Sequence, residues 1–285
     1  MPSNLKLMAV LAHPDDESLG LGGALAKYAA EGVETYVVCA TRGERGRFGD
    51  AQVRPAPEEV GRVRESELRA AARELGVKEV HFLDYIDKDL DQADPEEAIG
   101  RIVAHLRRVK PQVVLTFGPE GAYGHPDHIA VSQFAMAAAV AASDDEYRTS
   151  KLYYMTWTPE KWAAYQEAFR DLKTTVDGVD RRATPWPDWA ITTKIDTTPY
   201  WRQVWRAVNC HKTQMTIFEK LGHLTEEHHR GLWGTQEFYR AFSLVNGGRK
   251  RETDLFEGLR EVEYSDRAAS AASFAKRVGF GPQQK

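Results

Sequence analysis

Short apolar runs alternate with stretches of helical spacing over the first half of the chain. Leu5–Leu11 is almost continuously apolar and stops at His-Pro, the pattern of a strand buried on both faces of a parallel sheet. Ser18–Ala30 then reads as a helix, and Val33–Ala40, rich in β-branched and aromatic residues, as a second strand. The Gly- and Arg-rich stretch TRGERGRFGD is a loop. Glu58–Leu75 is helical and is closed by Gly76, Glu79–Leu83 is a third strand, and Pro95–Val109 resumes a helix. Val113–Phe117 is a fourth strand; after the loop GPEGAYGH, Pro126–Ala142 is helical, with proline in the first turn where its missing N–H costs nothing. This alternation predicts an α/β fold: a doubly wound, mostly parallel, Rossmann-like sheet with an elaborated C-terminal part.

Lys151–Trp157 adds a fifth strand, after which the pattern changes. All seven tryptophans fall between Trp157 and Trp233. No linker composition intervenes, so residues 1–157 are taken as the catalytic α/β part and 158–285 as an elaboration packed on it, the last twenty residues being a helix or a frayed tail. A length of 285 residues allows one large unit of this kind without disulfide or metal staples.

Composition narrows the function classes. A net charge of −4 offers no global attraction to nucleic acid or an anionic membrane. The two cysteines, Cys39 and Cys210, have neither disulfide-framework nor zinc-ribbon spacing, which fits a reducing cytoplasm. The apolar run Leu5–Ala12 is too short for a signal peptide or a membrane span.

The chemistry concentrates in two loops. His13-Pro14-Asp15-Asp16-Glu17 follows the first strand, and His125-Pro126-Asp127-His128 follows the fourth. In doubly wound sheets ligands bind at the carboxyl ends of strands, where strand order reverses, so the two loops are expected to face one crevice. His13, one aspartate of the pair and His128 make a three-ligand set that suits catalytic zinc with an open fourth position. The other aspartate would face the water that the metal activates. His125, one turn before His128, is placed to act on the opposite side of a substrate, and protonated it could stabilise an oxyanion or protonate a leaving amine. Glu17 and Asp127 either orient a ligand or simply place charge at a helix N-terminus.

AHPDDE and YGHPDH together resemble the PIG-L/LmbE-like family of zinc-dependent N-acetylglucosaminyl deacetylases, which includes mycothiol- and bacillithiol-type deacetylases and related amidases. The resemblance implies one Zn2+ per chain, with Fe2+ as the competing ion, held by His13, Asp16 and His128. It further implies Asp15 as general base, His125 as electrophilic stabiliser or acid, Asp127 as the group orienting His125, and Tyr123 as a tyrosine that helps polarise the substrate carbonyl. It continues through Thr41–Glu44 and Val63–Leu68, with Arg42, Glu44, Arg64 and Asp87 as substrate-binding candidates, and through Lys194–Asp196 and Cys210–Gln214. The expected reaction is removal of an N-acetyl group from a small amino-sugar substrate. Two alternatives stand beside it: an amidase acting on a thiol conjugate, and a non-catalytic sugar- or nucleotide-binding module. A homo-oligomer is compatible with all three.

Other features carry less. Gly20-Leu21-Gly22-Gly23 lies inside a helix and reads as close packing rather than a dinucleotide loop. Six arginines between Arg42 and Arg64, against four acids, make either a solvated face or a site for an anionic group on the substrate. His223, His228 and His229 are expected on a surface helix, and His81 and His105 read as structural.

Overall fold

The computed structural model describes residues 4–168, 173–216, 219–248 and 250–260. The chain runs through β1 (Lys6–Leu11), α1 (Asp16–Ala30), β2 (Glu34–Thr41), α2 (Pro57–Leu75), β3 (Glu79–Tyr85), α3 (Pro95–Val109) and β4 (Val113–Phe117). A single distorted turn, α4 (Gly121–Gly124), precedes α5 (Pro126–Ala141) and β5 (Lys151–Thr156). Then come α6 (Pro159–Ala168), the hairpin β6 (Lys173–Val176) and β7 (Val179–Arg182), β8 (Thr193–Asp196), α7 (Trp201–Val208), α8 (Glu226–Trp233) and β9 (Thr235–Ser243). Boundaries expected from the apolar pattern agree within two residues for each strand and helix named above through β5; α4 falls in what reads as a loop. The segment expected as a C-terminal helix or tail lies outside the described residues.

Seven strands form one sheet in the order β3-β2-β1-β4-β5-β9-β8. The first five are parallel, and β9 runs antiparallel to both β5 and β8. Strands from beyond residue 190 therefore complete the sheet begun at residue 6. Continuous apolar sequence in β1 and β4 follows from burial on both faces: Leu7–Leu11 and Val113–Leu115 have no exposed surface. The strand order reverses at β1, which has β2 on one side and β4 on the other, and the carboxyl ends of β1 and β4 lie side by side there. Both His-Pro-Asp loops leave the sheet at that point.

The glycines of α1 serve packing. A Cβ at Gly23 would stand 2.7 Å from the Cβ of Thr197, and one at Gly22 would stand 3.0 Å from Val204, so α1 approaches the C-terminal part more closely than any larger residue would allow.

Candidate active site

The two loops bring His13, Asp16 and His128 to one point. His13 Nδ1 and His128 Nε2 are 3.2 Å apart. The Asp16 carboxylate lies 3.7 Å from the first nitrogen and 3.5 Å from the second. Ligand bonds of 2.0–2.2 Å around a tetrahedral ion require ligand atoms about 3.3–3.6 Å apart, and the spacings here, with Asp16 Oδ2 nearer His13 and Oδ1 nearer His128, are close to those of a metal site. The surrounding hydrogen bonds fix the tautomers that such a site needs. His128 Nδ1 donates to the Gly121 carbonyl at 3.3 Å, and its ring stacks on Phe117. His13 Nε2 faces Asp127 at 3.0 Å and Asp87 at 3.2 Å. With those nitrogens committed as donors, a neutral His13 turns its Nδ1 lone pair towards that of His128 Nε2, and two acceptors this close are bridged either by a metal ion or by the proton of a charged His13.

Other donors also converge. Ring nitrogens of His13, His125 and His128 lie within 4.8 Å of one another, as do ligand atoms of His13, Asp87 and Asp127. The second group meets behind His13, on the nitrogen turned from the triangle, where carboxylates orient a ligand and raise its basicity. In the first, His125 already uses Nδ1 to accept the Asp127 backbone N–H at 3.2 Å.

Burial and mutual contact shift the ionisation of the whole cluster. Burial weighs most on Asp16 and raises its carboxyl to about 7, despite the opposing pull of His13. Burial opposes charge on His13 too, but Asp127 and Asp87 outweigh it and draw that ring well above its ordinary range. His128 is pushed well below its usual value by burial and by His13. His125 falls to about 4 for the same two reasons.

Asp15 sits beside the triangle in a left-handed conformation, φ 104°, which costs a non-glycine residue roughly 1–2 kcal/mol. Arg64 holds it there. The guanidinium, buried under the loop, donates to the Pro14 carbonyl at 2.5 Å and the Gly43 carbonyl at 2.9 Å, and meets Asp15 at 3.3 Å. A Cβ on Gly43 or Gly46 would collide with this guanidinium, which explains two of the glycines of the arginine-rich loop. Glu17 supports the same loop: it accepts the Asp15 N–H at 3.0 Å and pairs with His211 at 2.8 Å in a fully buried contact. Burial pushes the Asp15 carboxyl up, and Arg64 only partly offsets it.

Above the triangle opens a cavity of about 400 Å³. Its apolar wall is made by Leu19, Met155, Trp157, Trp162 and Tyr165. Tyr123 enters from the other side, delivered by Ala122 at φ 63°, ψ −76°, a strained tight-turn conformation. The β6–β7 hairpin and the segment just after it clamp that turn: Arg181 Nη1 donates to the Gly124 carbonyl at 3.3 Å and the Thr184 N–H to the Ala122 carbonyl at 3.3 Å. Two residues of the hairpin, Lys173 and Thr174, reach the cavity.

The geometry redistributes several expected residues. Asp127, expected to orient His125, gives its carboxylate to His13 and to the Lys88 N–H at 2.7 Å; only its backbone touches His125. Asp87 and Arg64 line the cavity, but both are tied to the site's own scaffold. Arg42 and Glu44 do not reach it. Arg42 lies over Phe82 and pairs with Glu65 and Asp84, each at 2.5 Å, while Glu44 accepts the Arg42 and Asp87 backbone N–H groups. The cations that do line the cavity are Arg45, Arg47, Arg64, Lys88 and Lys173. His229, expected at the surface, is buried among Trp201, Trp205 and Trp233.

The chain is similar to known proteins over this region and beyond it. The family described as PIG-L, GlcNAc-PI de-N-acetylase, matches residues 8–139, which hold both loops. A 1D-myo-inositol 2-acetamido-2-deoxy-alpha-D-glucopyranoside deacetylase of Streptomyces avermitilis is 35% identical over 89% of this chain and 97% of its own length. The chain belongs to the PIG-L family. Another relative of this PIG-L protein, the mycothiol S-conjugate amidase of Streptomyces coelicolor, is 31% identical over 92% of the chain and 99% of its own length. Among solved structures, a conserved protein of Thermus thermophilus shares the fold with a TM-score of 0.61 and 26% identity, covering 87% of this chain and 99% of its own. Among the described residues no helix is long and apolar enough to cross a membrane.

Proposed function

We propose that the protein is a divalent-metal-dependent amide hydrolase that removes the N-acetyl group from a substrate of the N-acetylglucosamine type, zinc being the ion its donor set suits. The observation that carries this reading is the His13–Asp16–His128 triangle with Asp15 at its side. Relatives named as deacetylases support it. An ion held by these three residues supplies Lewis acidity, polarising the amide carbonyl and making water a competent nucleophile near neutral pH.

The chain's own groups then divide the proton work. Asp15 takes the proton of the attacking water, a role suited to a carboxyl whose pKa burial has raised, and returns it to the leaving amine. His125 is held neutral. Its Nδ1 accepts the Asp127 N–H, so Nε2 carries the proton and donates it as a hydrogen bond to the developing oxyanion. That replaces the protonated histidine expected from sequence. Tyr123 lines the same side of the cavity and donates alongside it.

Substituting Asp15→Ala is expected to leave bound metal intact and lower kcat by about 10²–10⁴-fold. His13→Ala is expected to abolish metal binding. Both are read by metal analysis and acetate release; undiminished turnover in the first or full occupancy in the second overturns the reading. The S. coelicolor relative and the aromatic wall of Trp157, Trp162 and Tyr165 favour a second substrate class, thiol-conjugate amides with an apolar substituent. Parallel assays of both classes separate them. A protein that binds no metal and releases no amine from either is a binding module.

A further inference from the structure

The left-handed conformation of Asp15 is held from three directions. Its carbonyl accepts the Ser18 and Leu19 N–H groups at 3.1 and 3.0 Å, which opens α1, and Arg64 takes its side chain. Its own N–H goes to Glu17 Oε2 at 3.0 Å, the one acceptor it has among the described residues. Glu17 can offer that oxygen in that direction only while its carboxylate is fixed. Its other oxygen shows what fixes it: Ser18 Oγ from the same turn, and His211 Nε2 at 2.8 Å, which comes from 194 residues along the chain.

His211 follows α7 and is itself pinned. Its N–H donates to the Val208 carbonyl at 3.1 Å. The turn after it, Lys212–Gln214, is tied to two other parts of the site. Thr213 donates through its N–H and its hydroxyl to the two oxygens of Glu67 on α2, at 2.8 and 2.6 Å, and its carbonyl accepts the Gly49 N–H at 2.7 Å. Glu67, Thr213, His211 and Glu17 are all buried, and the contacts among them run from α2 to the Asp15 backbone.

Fold stability alone is a poor reason for this pair. The desolvation of two buried charged groups cancels much of their attraction. His211 Nδ1 is also buried with no partner among the described residues, a penalty that an apolar side chain would avoid. What the ring does reach is the loop that carries Asp15, while it does not itself line the cavity.

We propose that His211 is a positioning residue. Acting through Glu17, it holds Asp15 in the conformation that turns its carboxylate to the cavity while Asp16 stays in the triangle. This rests on the reading of Asp15 as the base and deepens it.

The test is a double-mutant cycle on the metal-loaded enzyme, with the methyl glycoside of N-acetylglucosamine as substrate. His211→Leu is expected to lower kcat about ten- to a hundredfold with KM and metal content unchanged, because a misaimed base costs rate before binding. In an Asp15→Ala background the same substitution should have no further effect, since no carboxylate is left to aim. His211→Gln, whose amide can bring an N–H to Glu17, should recover most of kcat. A parental kcat with a lowered melting temperature would make the pair an ordinary packing contact. That result, an equal fold-loss in both backgrounds, or a glutamine variant no faster than the leucine one overturns the proposal. If His211→Leu does not fold, His211→Asn, too short to reach Glu17, replaces it in both arms. Crystal structures of parent and variant give a readout independent of turnover: an Asp15 that leaves φ 104° upholds the proposal, and an unchanged Asp15 overturns it. If the parent releases no acetate, the hydrolase reading fails on its own and the crystal structures decide whether His211 holds Asp15.

Discussion

Glu252 and Asp16 are both carboxylates largely removed from water, and the structure treats them in opposite ways. Around Glu252 every need is met. One oxygen accepts from Lys151 at 2.6 Å, Arg240 at 2.8 Å and Asn246 at 2.6 Å; the other accepts from Tyr153 and Thr193, each at 2.8 Å. Burial would raise this carboxyl, but the donors overcome burial and hold it at about 2. Burial raises Asp16 to about 7 against the pull of His13, and Asp15 and Glu17 add to the rise. A further buried oxygen in the same cluster, Asp127 Oδ1, has no partner among the described residues. A satisfied cluster fastens the C-terminal strands together; an unsatisfied one is what a cation completes.

The largest consequence concerns Glu252. Its pKa lies below the unfolded value of 4.5, so it stabilises the fold above that pH, and the contribution disappears as pH falls from about 4.5 towards 2. The shift corresponds to about 3 kcal/mol. Glu252→Gln should therefore lower unfolding free energy by about that amount at pH 7, flatten the acid limb of the stability profile, and leave metal content unchanged. Urea unfolding between pH 7 and pH 2.5 measures all but the last. An acid limb as steep as the parent's would show that the network carries no such charge.

The opposite sign is expected for Asp16→Asn. Removing a charge whose burial outweighs the pull of His13 should stabilise the metal-free protein by roughly 1–2 kcal/mol, because the amide oxygen still accepts the His13 N–H while the desolvation cost and the repulsion from acidic neighbours disappear. The same variant should bind no metal. Unfolding in the presence of a chelator checks the first, metal analysis the second; a loss of stability in the chelated variant would mean that Asp16 is satisfied without an ion.

How much of this was legible in sequence follows from what the two kinds of residue depend on. His13, Asp16 and His128 were identifiable because their arrangement is set by strand ends, and strand ends are marked by apolar runs that stop at His-Pro. Partners across the fold were not. Asp127 lies in the first turn of α5, and which histidine its carboxylate reaches depends on how that helix docks on β1, a fact of packing that no local pattern records. The arginine-rich loop announced a cationic feature but not its owners: counting charges cannot tell Arg42, neutralised by Glu65 and Asp84, from Arg47, whose side chain has no partner among the described residues. β8 and β9 escaped notice because half their positions are polar and their partners lie some 40–90 residues away.

The smallest expected effect tests whether strain in the second loop is held from outside. An isolated two-stranded hairpin is marginal in water, so β6–β7 owes its order to the surface it grips. That surface is the turn carrying Tyr123, where Arg181 lays its stem against Gly124 and donates to the Gly124 carbonyl. Arg181→Ala removes the stem and the donor together, allowing Ala122 to relax from φ 63° and Tyr123 to lose its aim. A three- to tenfold fall in kcat is expected, with metal content and melting temperature little changed, since a small misplacement of a stabilising donor costs rate before it costs fold. Arg181→Lys keeps an aliphatic stem and a terminal donor and should recover most of the activity. Equal kcat in the alanine variant would mean that the turn holds its own strain, and an equally large loss in the lysine variant would assign Arg181 a role in the cavity rather than beneath it.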